Sequence, residues 1–136
     1  MERTVDPEGT EGDDPIRVVL ADDHAQFREG LKEMLLTDDG IEVVGEAQDG
    51  ARAIEVAGRV RPDVVILDLA MPIMDGREAL GPILREVWHP PRVVILTMHS
   101  GSGQRRELLG MGASAFLAKS ASLAEILAAV KGPRRA

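Results

Sequence analysis

Residues 63–76 read DVVILDLAMPIMDG, and the order of their chemistry decides the architecture. Val64 to Leu67 are apolar at every position. A strand with one wet face would alternate, so this one needs cover on both sides, as in a parallel sheet sandwiched between helices. An acid, Asp68, stands where the apolar run stops, and Asp75-Gly76 opens a helix with the aspartate as its cap.

The same grammar extends in both directions. Upstream, RVVLA at 17–21 precedes the helix-period segment AQFREGLKEMLLT at 25–37, and IEVVGEA at 41–47 precedes GARAIEVAGRV at 50–60. Downstream, GREALGPILREV at 76–87 is followed by RVVILTM at 92–98, QRRELLGMG at 104–112, SAFLAK at 114–119 and SLAEILAAVKG at 122–132. Five βα units result, which right-handed crossovers wind into a doubly wound open sheet. Ser122 caps the fifth helix and Gly132-Pro133 ends it. Pro82 lies within the third helical segment, which predicts that the helix starts near it or bends there. The acidic, Gly- and Pro-containing stretch 1–15 reads as a disordered leader, 16–132 as one domain, and PRRA at 133–136 as the start of a linker or a frayed terminus.

Composition removes whole classes of function. The chain of 136 residues has no cysteine, so thiolate metal sites, thiol nucleophiles and disulfides are out. A net charge of −7 opposes direct binding of nucleic acid, and two Phe, one Trp and no Tyr leave no stacking platform for single strands. No apolar run approaches the ~20 residues of a membrane span, and the polar start lacks the core of a signal peptide, which together imply a cytoplasmic protein.

In an open parallel sheet, ligands sit beyond the carboxyl ends of the strands. The first strand ends in Asp22-Asp23, the third in Asp68, the fourth in Thr97 and the fifth in Lys119. Three carboxylates brought together repel unless a cation joins them. Oxygen donors without His or Cys select a hard ion, and a shallow site with room for water and phosphate suits Mg²⁺. Such an ion would neutralise an incoming phosphate and let one carboxylate act as nucleophile, with Lys119 adding positive charge and Thr97 a hydroxyl donor. Taken singly, each residue has an ordinary reading as a cap, a loop acid, a strand former or a surface charge. Their joint placement on one edge carries the inference. His24, His89 and His99 show no ligand spacing to one another and read as solvated or packing side chains, and Gly101-Ser102-Gly103 reads as a flexible lead into the fourth helix.

With these residues in place, the chain from about 16 to 131 resembles the receiver domains of two-component response regulators. The likeness rests on four motifs in order: VVLADDH, ILDLAMPIMDG at 66–76, ILTMHS at 95–100 and GASAFLAKS at 112–120. It implies a flavodoxin-like (βα)5 fold with strand order 2-1-3-4-5. It further implies that Asp68 accepts the phosphoryl group and that Asp22, Asp23, Asp68 and the Ala70 carbonyl hold Mg²⁺. In the same likeness Lys119 pairs with the phosphoryl group, Thr97 is the switch hydroxyl, Phe116 the aromatic that swings inward, and Met71-Pro72 part of the loop shaping the site. Implied partners are a histidine kinase, an effector domain and, after phosphorylation, a second copy. VVGEAQDG at 43–50, with GASAFLAK, resembles receivers that precede a helix-turn-helix domain of the NarL/FixJ (LuxR) type. Two readings follow, a stand-alone receiver or a segment of a longer regulator, and the PRRA tail favours the second. Ala70 and Met98 stand where relatives more often carry a polar and a small residue, which is expected to alter phosphate lifetime and site access. Two further readings are a Mg²⁺-dependent phosphatase working through an aspartyl phosphate, opposed by Ala70 at the position of its second acid, and a nucleotide or flavin module, opposed by the missing Gly-rich loop.

Overall fold

The computed structural model describes residues 14–98 and 102–132. Five strands, β1 (Ile16–Ala21), β2 (Ile41–Ala47), β3 (Val64–Leu67), β4 (Arg92–Thr97) and β5 (Ala115–Ala118), alternate with five helices. These are α1 (Ala25–Leu35), α2 (Gly50–Val60), α3 (Gly76–Glu86), α4 (Ser102–Gly110) and α5 (Leu123–Lys131). All strand pairs are parallel and the order is β2-β1-β3-β4-β5, the flavodoxin-like arrangement expected.

The continuous apolar runs are explained by two cores, one on each face of the sheet. Val19, Ala21, Val65, Leu67, Val93, Ile95 and Phe116 face Ala53, Val56, Leu80, Ile83 and Leu108 from α2, α3 and α4. Their neighbours Val18, Leu20, Val64, Ile66, Val94 and Leu96 face Leu31, Leu35, Ile126 and Val130 from α1 and α5. Each such fully buried aliphatic side chain contributes about 1.5–3 kcal/mol relative to exposure. From β1 the chain steps outward to β2 and then crosses back to β3, so α1 and α2 leave opposite faces and open a crevice between the ends of β1 and β3.

Helix α3 begins at Gly76, where Asp75-Gly76 places its start, and runs through Pro82 to Glu86, so the helix does not start at the proline. A capping box, in which the Asp75 and Glu78 carboxylates each accept the other's backbone N–H, fixes its start, and the buried face of Ala79, Leu80 and Ile83 holds it although Pro82 removes the helical donor to the Glu78 carbonyl. Helix α4 starts earlier than expected: Ser102 and Gly103 lie in its first turn rather than in a flexible lead. Ser122 caps α5 through a second capping box and Gly132 ends it with φ 68°. Residues 1–13 of the expected leader, the 133–136 tail, His99 and Gly101 lie outside the described residues.

Candidate functional site

Backbone pairing delivers the Asp22, Asp68 and Lys119 side chains to one place at the strand end that also carries Thr97. The Asp22 N–H donates to the Ala47 carbonyl at 2.9 Å, the Asp68 N–H to Ala21 at 2.9 Å and the Lys119 N–H to Thr97 at 2.8 Å, so each site residue continues the sheet's ladder past its strand. The Lys119 ammonium then reaches Asp22 Oδ2 at 2.6 Å and Asp68 Oδ2 at 3.1 Å. Asp22, Asp68 and Thr97 are buried, at 5%, 3% and 3% exposure, while Asp23 stands at the open rim. Ligand atoms of Asp22, Asp23, His24 and Asp68 all lie within 4.8 Å of one another. A void of about 10 Å³ lined in part by Asp22 and Asp68 has room for one water at most.

Three residues join this constellation that the sequence reading did not assign to it. His24, read as solvated, places Nδ1 3.4 Å from both Asp22 and Asp23, although its ring is mostly exposed. Phe27 of α1 puts its ring 4.4 Å from the Lys119 ammonium, a cation–π contact that steadies the lysine. Arg28 donates from a guanidinium NH group to the Asp22 carbonyl at 2.6 Å. The adjacency in VVLADDH signals His24; nothing in periodicity signals the other two, which act across elements. Phe116 lies in the core at 2% exposure, and its carbonyl accepts a hydrogen bond from Arg105 of α4 at 2.8 Å. Ala70 is exposed, with its N–H 3.4 Å from Asp68 Oδ1, and the Met98 side chain stands in solvent.

Burial holds the Asp68 carboxyl above the ordinary carboxylate range; the Lys119 hydrogen bond opposes this and the Asp22 charge adds to it. Burial would lower Lys119, but hydrogen bonds to Asp22 and Asp68 outweigh it and leave the ammonium raised. A raised Asp68 means that the folded state prefers the proton, so the ionised group costs stability, and stability falls as pH climbs from 3.8 through the folded value. In EDTA at neutral pH, Asp68→Asn is therefore expected to melt a few degrees above the parent and to lose less stability across that window, as scanning calorimetry would read. Three carboxylates against one ammonium leave a net negative, oxygen-rich cluster, which is the donor chemistry of a hard divalent cation such as Mg²⁺. The single imidazole, at the rim, does not change that preference.

The family described as response regulator receiver domain matches residues 18–131 of this sequence. The chain belongs to that family. Among the receivers and regulators it resembles, the transcriptional regulatory protein LiaR of Bacillus subtilis is 39% identical over 116 residues, which cover 85% of this chain and 54% of LiaR. The signal receiver domain of the response regulator NarL from Mycobacterium tuberculosis superposes with a TM-score of 0.80 at 36% identity, covering 88% of this chain and 99% of that one. A chain of the CheX-CheY-BeF3-Mg²⁺ complex from Borrelia burgdorferi gives a TM-score of 0.79 at 27% identity, covering 86% of this chain and 87% of that one. The receiver thus spans about half the length of LiaR, a relative of the NarL type. Receivers are signalling domains of two-component systems that bind Mg²⁺ at an acidic pocket and interact with histidine kinases and effector domains. Among the described residues, no helix is long and apolar enough to cross a membrane.

Proposed function

We propose that Asp68 accepts a phosphoryl group from the phosphohistidine of a histidine kinase in the cytoplasm, and that the altered surface controls a DNA-binding output domain. The observation that carries the reading is the Lys119 ammonium resting on Asp22 and Asp68 at 2.6 and 3.1 Å, which joins the ends of β1, β3 and β5 in a buried, acid-rich edge. The output is supported by the greater length of LiaR, a transcriptional regulatory protein.

In the transfer, a carboxylate oxygen of Asp68 attacks phosphorus, the phosphorus–nitrogen bond of the donor breaks, and the imidazole leaves with the electron pair. Later attack by water breaks the new phosphorus–oxygen bond and returns the carboxylate and inorganic phosphate. Mg²⁺ held by Asp22, Asp23, Asp68 and the Ala70 carbonyl would neutralise charge on the phosphoryl oxygens. Lys119 passes from carboxylate to phosphoryl oxygen, and the Thr97 hydroxyl donates a hydrogen bond to another. Thr97 moving toward the new group biases the surface of α4, β5 and α5, with Phe116 and its Arg105 link to α4 as the element that feels the shift, and a second copy as one recipient of the new surface.

The test is incubation with acetyl phosphate and Mg²⁺ followed by intact mass. One hydroxylamine-labile phosphoryl group per chain, lost in EDTA, is expected. Rapid consumption of donor with no accumulating adduct would make the chain a phosphatase instead, and neither adduct nor consumption would end the reading.

A further inference from the structure

We propose that Arg28, braced by Glu46, fixes the direction of the Asp22–Asp23 peptide and thereby the affinity of the acidic site for its cation. The inference rests on the phosphoacceptor reading above and makes Arg28 a positioning residue, not a catalytic one.

Asp22 is held at every polar atom. Its N–H donates to Ala47, Oδ1 accepts the His24 N–H at 2.8 Å, Oδ2 takes Lys119 at 2.6 Å, and its carbonyl accepts Arg28 at 2.6 Å. That carbonyl belongs to the peptide leading to Asp23. Among the described residues the Asp23 side chain has one steadying partner, a 3.4 Å approach from a mostly exposed His24, so its aim is inherited from the backbone before it. Arg28 is the one donor on that carbonyl among the described hydrogen bonds.

The guanidinium is itself immobilised. Its side chain is 17% exposed, and its Nε donates to Glu46 Oε1 at 2.7 Å. The other Glu46 oxygen takes Lys32 at 3.1 Å, one helical turn further along α1. Glu46 sits on β2 next to Ala47, the residue that receives the Asp22 N–H. The ladder ties the Asp22 N–H to Ala47 and Arg28 ties the Asp22 carbonyl to Glu46, so both sides of this backbone are anchored at the same point on β2, the second through a planar fork that a lysine cannot reproduce. VVGEAQDG, which supplies Glu46 and Ala47, thus has a role at the site although none of its side chains reaches the acids.

Charge and positioning predict opposite signs. As a cation beside an acidic site, Arg28 repels Mg²⁺, so its removal would tighten binding if charge alone mattered. As the brace of the Asp22–Asp23 peptide, its removal weakens binding, and partners behind metal ligands typically matter by about 10–100-fold. Arg28→Met and the charge-preserving Arg28→Lys separate the two. Calorimetric titration of the whole chain with Mg²⁺ is expected to show a dissociation constant about tenfold higher in Arg28→Met and raised in the same direction in Arg28→Lys. The half-saturating Mg²⁺ for adduct formation from acetyl phosphate should rise by the same factor, and saturating Mg²⁺ should recover most of the parent rate. An unchanged or tighter constant in either folded variant overturns the inference. Arg28→Lys keeps charge and bulk, so the test stands if Arg28→Met does not fold. A parent chain that binds no Mg²⁺ and forms no adduct overturns the phosphoacceptor reading itself, and that result is distinguishable from failure of the brace.

Discussion

An Asp68→Asn chain is expected to take up no phosphoryl group, and Lys119→Met to take it up about 10²–10³-fold more slowly than the parent, the cost of losing one preorganised donor from a transition state. Asp68 and Asp22 are both buried, and the Lys119 ammonium is the charge that lets them approach one another. As phosphorus arrives, negative charge accumulates on oxygens close to where Nζ stands, in surroundings where burial already penalises ions. Methionine keeps the length and the apolar contact with Phe27 but supplies no charge. Removing a cation from beside the acids should leave Mg²⁺ binding intact or stronger. The expected pattern is therefore selective: the divalent ion binds and transfer fails. Adduct growth by intact mass, beside a calorimetric Mg²⁺ titration, measures both. A Lys119→Met chain that fills with phosphate at the parent rate would remove the lysine from the reaction.

That pattern was legible from sequence because it depends on strand ends. VVIL at 64–67 is apolar throughout because alternate residues feed different cores, Val65 and Leu67 one and Val64 and Ile66 the other. Once such runs are recognised as parallel strands, Asp22, Asp68, Thr97 and Lys119 fall on one edge by topology alone. Arg28, Phe27 and His24 escaped assignment for a different reason. Arg28 meets Glu46 across 18 positions and two elements, and Phe27 meets Lys119 from a helix whose own period accounts for it as an apolar residue. Periodicity reports which face a residue occupies, not what it touches on the neighbouring element. Pro82 left the start of α3 open for a related reason: the capping box before it and the buried face around it carry the helix through the proline.

The largest expected loss of stability comes from a single methyl group. Gly76→Ala would drive its Cβ into the Asp68 carbonyl oxygen and to 2.9 Å from the Leu69 Cα, both backbone atoms that cannot rotate away. The Gly76 N–H donates to the Leu69 carbonyl at 2.9 Å, so the first turn of α3 lies directly on the end of β3. Relief requires separating them, which moves the backbone that aims Asp68. Overpacking of this kind costs about 3 kcal/mol, and at about 4 °C per kcal/mol for a domain of this size the melting temperature should fall by about 12 °C. Gly58→Ala makes the same chemical change in the exposed interior of α2, where an added Cβ meets nothing within 4 Å. There the gain in helix propensity should stabilise the fold by about 0.5–1 kcal/mol. Thermal melts of the two variants are thus expected to move in opposite directions, and only Gly76→Ala should also lose adduct formation at temperatures where it remains folded. Equal shifts in both would mean that Gly76 matters only as a glycine, and that the close seating of α3 on the β3 terminus does not set the position of Asp68.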